Sequence, residues 1–192
     1  IWDVATGTEL VRLADVTDRV FMAQWSQDER RVLTFDATGA VHIWDTASGT
    51  ELVRMNDQRG GANQVTWSQD ESRVLTTNQD GVVFIWDATT GKELTQLQQH
   101  GSSVNHAMLN KNGTRVLTAE QEGLARIWDA TTGQELIRLE GITGRVWQAA
   151  WSADEERIVT ASEDGAVRIW DAADGKEMVH FEFGATDYME AS

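Results

Sequence analysis

Four histidines, 31 carboxylates and one Gly-Lys pair are the residues of this 192-residue chain that could do chemistry. Paired imidazoles hold metal ions or move protons, and that work needs them at close, regular spacing. His42, His100, His106 and His180 are scattered, and no two share a metal-ligand spacing. Gly91-Lys92 would suit a phosphate loop, but the upstream Gly and the following Ser or Thr are missing, and one unit later the pair reads Gly133-Gln134. It is read as a turn. The carboxylates recur at turn positions, where a solvated face is the default. The absence of Cys excludes disulfides, thiolate zinc sites and thiol catalysis within the chain. No catalytic, metal or cofactor residues are therefore assigned, and the chain is not expected to be an enzyme.

The net charge is −15. Nucleic-acid backbones and anionic membrane surfaces both call for basic protein surface, so neither is an expected partner. No apolar run is long enough for a membrane-spanning helix. A cytoplasmic setting is expected, in which the Asn112-Gly113-Thr114 glycosylation pattern would be silent.

What organises the chain is a recurrence. Ile-Trp-Asp stands at residues 1–3, 43–45, 85–87, 127–129 and 169–171, each copy 42 residues after the last. The domain reading is the end of a preceding unit at 1–3, repeats at 4–45, 46–87, 88–129 and 130–171, and an outer strand plus the start of another unit at 172–192. Within each repeat, turn signals separate four short apolar runs, which reads as all-β. The first run has apolar positions three and then two apart, as in Val146, Ala149 and Trp151. Strict alternation fails there, and a β-bulge would restore it. The next run is the buried type, as in Arg115-Val116-Leu117-Thr118. One such unit cannot bury both faces alone, so neighbours must stack on it.

Tandem 42-residue units ending in Trp-Asp resemble WD40 repeats. The resemblance implies a β-propeller of WD40 type, with four complete four-stranded blades plus partial blades at both ends, as an open arc or part of a larger ring. Because both termini fall inside the repeat, the chain is expected to belong to a longer array. The uniform unit length is similar to that of bacterial WD40 arrays.

The resemblance also implies a hydrogen-bonded tetrad of His, Ser/Thr, Asp and Trp in each blade. Here the Thr and Trp columns are intact, at Thr76, Thr118 and Thr160 with Trp86, Trp128 and Trp170, and in the first unit Thr34 with Trp44. The carboxylate column reads Thr38, Asp80, Glu122 and Asp164, and the His column keeps only His100. The expectation is that the Trp–Thr bonds persist and the rest of the network is partial. A repeated Arg31, Arg73, Arg115 and Arg157 is read as a surface row paired with nearby carboxylates.

Function is sought in the columns that vary. One holds Phe21, Asn63, Asn105 and Trp147, and a second holds Ala37, Gln79, Gln121 and Glu163. By the resemblance both lie on the rim where partners dock. Trp147 is the one Trp of nine outside the two repeat columns. The expected role is a protein–protein interaction module, the scaffold or sensing part of a larger signalling or defence protein. The alternative is a self-assembling array in which chains complete a ring through open blade edges.

Overall fold

The short β-branched runs of each unit are too brief for helices, and turns carrying positive-φ glycines separate many of them. In the computed structural model, which describes residues 1–13, 19–56, 62–98 and 101–183, these runs form sixteen strands. The first sheet holds β1 (Val20–Trp25), β2 (Arg31–Asp36), β3 (Ala40–Asp45) and β4 (Glu51–Asn56). The second holds β5 (Ala62–Trp67), β6 (Arg73–Asn78), β7 (Val83–Asp87) and β8 (Glu93–Leu97). The third holds β9 (Val104–Leu109), β10 (Arg115–Glu120), β11 (Ala125–Asp129) and β12 (Glu135–Leu139). The fourth holds β13 (Val146–Trp151), β14 (Arg157–Ser162), β15 (Ala166–Asp171) and β16 (Glu177–Glu182).

Each sheet is antiparallel and runs in chain order. The first strands of successive sheets meet, β5 with β9 and β9 with β13, so they form the inner edge of the arc. This is the blade architecture of a β-propeller, left open. Among the described residues no helix is long and apolar enough to cross a membrane.

The core lies between blades, in one cluster per junction. At the third junction Leu117, Ile127 and Leu139 of one blade pack against Val146, Ala149 and Trp170 of the next. The other two junctions repeat the scheme with Leu33 and Ile43 facing Val65 and Trp86, and with Leu75 and Ile85 facing Ala107 and Trp128. At the open ends the same positions are uncovered. Val20, Ala23 and Trp25 of the first blade are exposed, although the sequence pattern marks them as packing positions.

The tryptophans of each third strand are tied to the second strand of their own blade. Trp44, Trp86, Trp128 and Trp170 donate their indole N–H to Thr34, Thr76, Thr118 and Thr160 at 2.8, 3.0, 3.0 and 2.9 Å. A buried indole N–H needs such a partner, and the Thr hydroxyl supplies it without leaving the sheet.

Of the arginine row only Arg157 stays on the surface with a carboxylate of its own turn, Asp154; the other three reach across a junction. Arg31 stacks on Trp67 at 4.8 Å and pairs with Glu71 at 3.0 Å, both in the next blade. Arg73 donates to the Gly113 carbonyl at 2.7 Å, and Arg115 stacks on Trp151 at 4.8 Å. These side chains are latches across junctions. A column in the sequence names the residue type but not the neighbour it reaches.

The turn between third and fourth strands carries a second junction device. Gly133 has φ +72°, and a Cβ there would lie 2.6 Å from the Gln96 carbonyl of the preceding blade. Gly7 holds the same turn conformation at φ +68° but meets nothing within 4 Å. Gly133→Ala should therefore lower stability to urea by about 1–3 kcal/mol more than Gly7→Ala, since only the former drives a methyl into backbone. Equal losses would show that the turn conformation alone matters.

Candidate functional site

The irregular spacing of each first strand is a β-bulge, and it falls on the candidate rim column. Val20 pairs with Asp36 and Met22 with Phe35, leaving Phe21 outside the ladder. Asn63, Asn105 and Trp147 are skipped in the same way in the next three blades. An extra residue in one strand frees its side chain from the alternation and re-aims it. The rim column is therefore the one position of the first strand that neither the ladder nor the junction core specifies.

The second column sits at the same end of the blades. The backbone N–H of Ala37, Gln121 and Glu163 donates to the carbonyl of Arg19, Ser103 and Arg145, two residues before the bulge. Gln79 takes the corresponding exposed position after β6. Within each blade, then, the turn and the bulge form one local surface.

Its four positions divide into two kinds. Asn63 donates to Ser103 Oγ at 3.2 Å and Asn105 donates to the Val146 carbonyl at 2.9 Å, so both amides brace adjacent blades. Phe21 and Trp147 are presented outward. The Arg19 guanidinium lies 5.3 Å from the Phe21 ring, which also leans on Phe35 at 5.6 Å. Trp147 is 51% exposed, and Arg145 sits over its ring at 4.6 Å. The Arg145 backbone N–H donates to Glu163 Oε2 at 3.1 Å, which holds a carboxylate beside the stack. An exposed indole with a cation on one face offers its other face to an apolar or aromatic group. Glu163 adds an acceptor for a donor on the same ligand.

The remaining tetrad members stand apart from the Trp–Thr bonds. Asp80 and Glu122 are exposed and make no side-chain hydrogen bond to a described residue. Asp164 bonds instead to Arg168 at 2.8 Å, to Ser162 at 2.6 Å and to Thr143 at 3.1 Å. His100 lies outside the described residues.

Another network does cross each of three blades. His42 lies between Asp36 at 3.1 Å and Glu51 at 2.8 Å, and its ring stacks on Trp44. Arg126 lies 3.5 Å from both Glu120 and Glu135, and Thr118 donates to Glu120 at 3.4 Å. Arg168 lies between Asp164 and Glu177. In the second blade Phe84 takes the place of the base and packs on Trp86 at 5.5 Å. Sequence reading gave this column no role. Its signal was a base at 42, 126 and 168 with an acid column at 51, 93, 135 and 177.

None of these groups converges into a reactive site. His106 is half-buried on β9; burial lowers its pKa, and the bond its ring N–H donates to the Ala149 backbone carbonyl works against that. Burial pushes Asp36 up, but bonds from Thr38 and His42 leave its pKa below the usual range. Among the described residues no three His, Cys, Asp or Glu side chains come together as a metal site.

The repeat scheme has a family match. The model for the WD domain, G-beta repeat, fits residues 49–87, 91–129 and 133–171. The chain belongs to the WD40 repeat family. No match was found among curated protein sequences. Among solved structures, the computationally designed Ika8 protein is 26% identical, with TM-score 0.79 over 94% of this chain and 54% of that one. A chain in the crystal structure of the Mitotic Checkpoint Complex is 20% identical, again with TM-score 0.79, over 94% of this chain and 56% of that one. The chain spans about half the length of these structures.

The ion pairs give the fold an acid limit. Its bond from Arg168 first, and then that from Ser162, hold Asp164 well below the usual carboxylate range. A depressed folded pKa contributes stability that is complete above the unfolded value, about pH 4, and is lost as pH falls through the folded value. The difference in urea midpoint between wild type and Asp164→Asn should be largest near neutral pH and shrink below about pH 4. A difference that stays constant down to pH 2 would remove the ion pair from the account.

Proposed function

We propose that the chain is a non-catalytic protein-docking module, the scaffold or sensing region of a larger bacterial-type signalling or defence protein in the cytoplasm. WD40 propellers are in general protein-interaction scaffolds. The observation that carries the finer reading is Trp147, exposed on a bulge with Arg145 on its face and Glu163 beside it. Exposed aromatics and arginines are the side chains that most often carry binding energy. Phe21 with Arg19 forms a second anchor at the other end of the arc. Asn63 and Asn105, with Gln79 and Gln121 on the adjoining turns, form the polar stretch between them. The net charge of −15 favours a partner segment that is basic as well as aromatic or apolar.

Peptides selected from a random display library on the immobilised chain provide the test. The recovered set should be enriched in Arg or Lys next to an apolar residue. Trp147→Ala should weaken their binding by about thirty-fold, the effect of losing a hot spot near 2 kcal/mol. Glu163→Gln should weaken it less. Selected peptides that bind Trp147→Ala and Phe21→Ala as well as wild type would rule out this surface.

A further inference from the structure

One junction departs from the other two. The column that closes the first strand holds Trp25, Trp67, Leu109 and Trp151, and the column four residues on holds Glu29, Glu71, Gly113 and Glu155. At the first junction the Trp67 ring lies under Arg31, and Glu71 accepts from the Gln27 backbone N–H and from Arg31. At the third, Trp151 lies under Arg115, and Glu155 accepts from the Lys111 backbone N–H and from Asn110 Nδ2 at 3.2 Å. Each of these contacts crosses from one blade to the next.

The second junction has neither group. Leu109 stands in the place of the indole and Gly113 in that of the carboxylate. The Gln69 backbone N–H, counterpart of the Gln27 and Lys111 donors, makes no hydrogen bond to a described residue. Arg73 has no ring to cover and donates to the Gly113 carbonyl. Space does not forbid a carboxylate here. A Cβ at Gly113 would meet nothing nearer than the Arg73 side chain at 3.5 Å, and Glu71 and Glu155 hold the same turn conformation, at φ 55° and 60° against 68°.

A cavity of about 290 Å³ opens beside these positions, at the ends of β5, β9 and β13 farthest from the bulges. Trp67, Gln69, Met108, Leu109, Lys111 and Trp151 line it among others. Lys111 is the third departure, since its column otherwise reads Gln27, Gln69 and Ala153. Its Nζ donates to the Ala153 carbonyl and has no carboxylate partner among the described residues. A largely apolar space of this size, with an unused N–H and an unpaired ammonium on its wall, suits a small ligand with one anionic group.

We propose that this cavity binds a small planar aromatic carboxylate. Its ring lies against Leu109 and Met108, where the neighbouring junctions spend an indole of their own. Its carboxylate accepts from the Gln69 N–H and the Lys111 ammonium, the part that Glu71 and Glu155 play at the other junctions. Ring burial supplies the attraction and outweighs the repulsion of an acidic chain, whose distant charges salt screens beyond about 8 Å. The cavity and the rim column are at opposite ends of the first strands, so this binding does not depend on rim docking.

Isothermal titration calorimetry with 3-indoleacetate, at an ionic strength of about 0.15 M, is the test. The result expected is one site per chain with a Kd below about 1 mM. The neutral amide of the same acid, and acetate alone, should each bind at least about ten-fold more weakly, because each lacks one half of the interaction. Lys111→Gln, which takes the residue found at Gln27 and Gln69, should weaken 3-indoleacetate about ten-fold and leave the amide unchanged. Leu109→Trp, which fills the cavity as the column does elsewhere, should abolish binding with the far-UV spectrum unchanged. Gly113→Glu, which supplies an internal carboxylate, should weaken it, and Trp147→Ala should not affect it. A peptide ending in Trp should bind no more tightly than the free acid. No saturable binding, equal binding of the amide, binding that survives Leu109→Trp, or binding seen only with the peptide would overturn the proposal.

Discussion

The apolar face that each four-stranded blade can bury only against its neighbour is the constraint on which this structure rests. A single antiparallel sheet of this size has two faces and no layer of its own to cover them. The solution is spread over three junctions, where the second, third and fourth strands of one blade meet the first strand and buried tryptophan of the next. The arginine latches and the close-packed turn glycines belong to the same contact. So does the Trp–Thr bond, which satisfies the indole donor of a ring buried in the junction. Uniform repeat length follows, because every insertion within a strand would shift these parts out of register.

The docking surface proposed above uses positions that the junction does not. The bulge in each first strand removes one residue from the ladder, and that residue is Phe21, Asn63, Asn105 or Trp147. Two of the four are drawn back into bracing the arc through amide bonds, and two remain as exposed rings beside arginines. The rim is chemically varied because the scaffold beneath it is uniform.

The sequence made the scaffold legible because the period aligns equivalent residues, so strand order, turn positions, the bulge and the Trp–Thr pairs could be read by column. Contacts between columns were harder to read. Arg31 and Arg115 looked like a surface row because nothing in a single unit shows that the next blade brings Trp67 and Trp151 beneath them. His42 was set aside with the other scattered histidines, yet it and Arg126, at the same repeat position, each lie between two carboxylates. Phe84 meets the same indole by packing instead. Asp80 and Glu122 illustrate the converse. They fall in a bonding column by sequence but stand exposed: at the position of Arg168 the second blade has Phe84, and in the third blade Arg126 lies beside Glu120 and Glu135 instead.

If the junctions hold the fold, protection should follow the number of covered faces. Native-state hydrogen exchange on the dilute monomer measures this blade by blade. Amides of β6, β7, β10 and β11, in the two blades covered on both sides, should exchange most slowly. Those of β15 and β16, in the blade whose back face is open, should exchange fastest among the sheet strands. Equal protection in all four blades, or the greatest protection in the fourth, would contradict the view that stability resides between the sheets rather than within them.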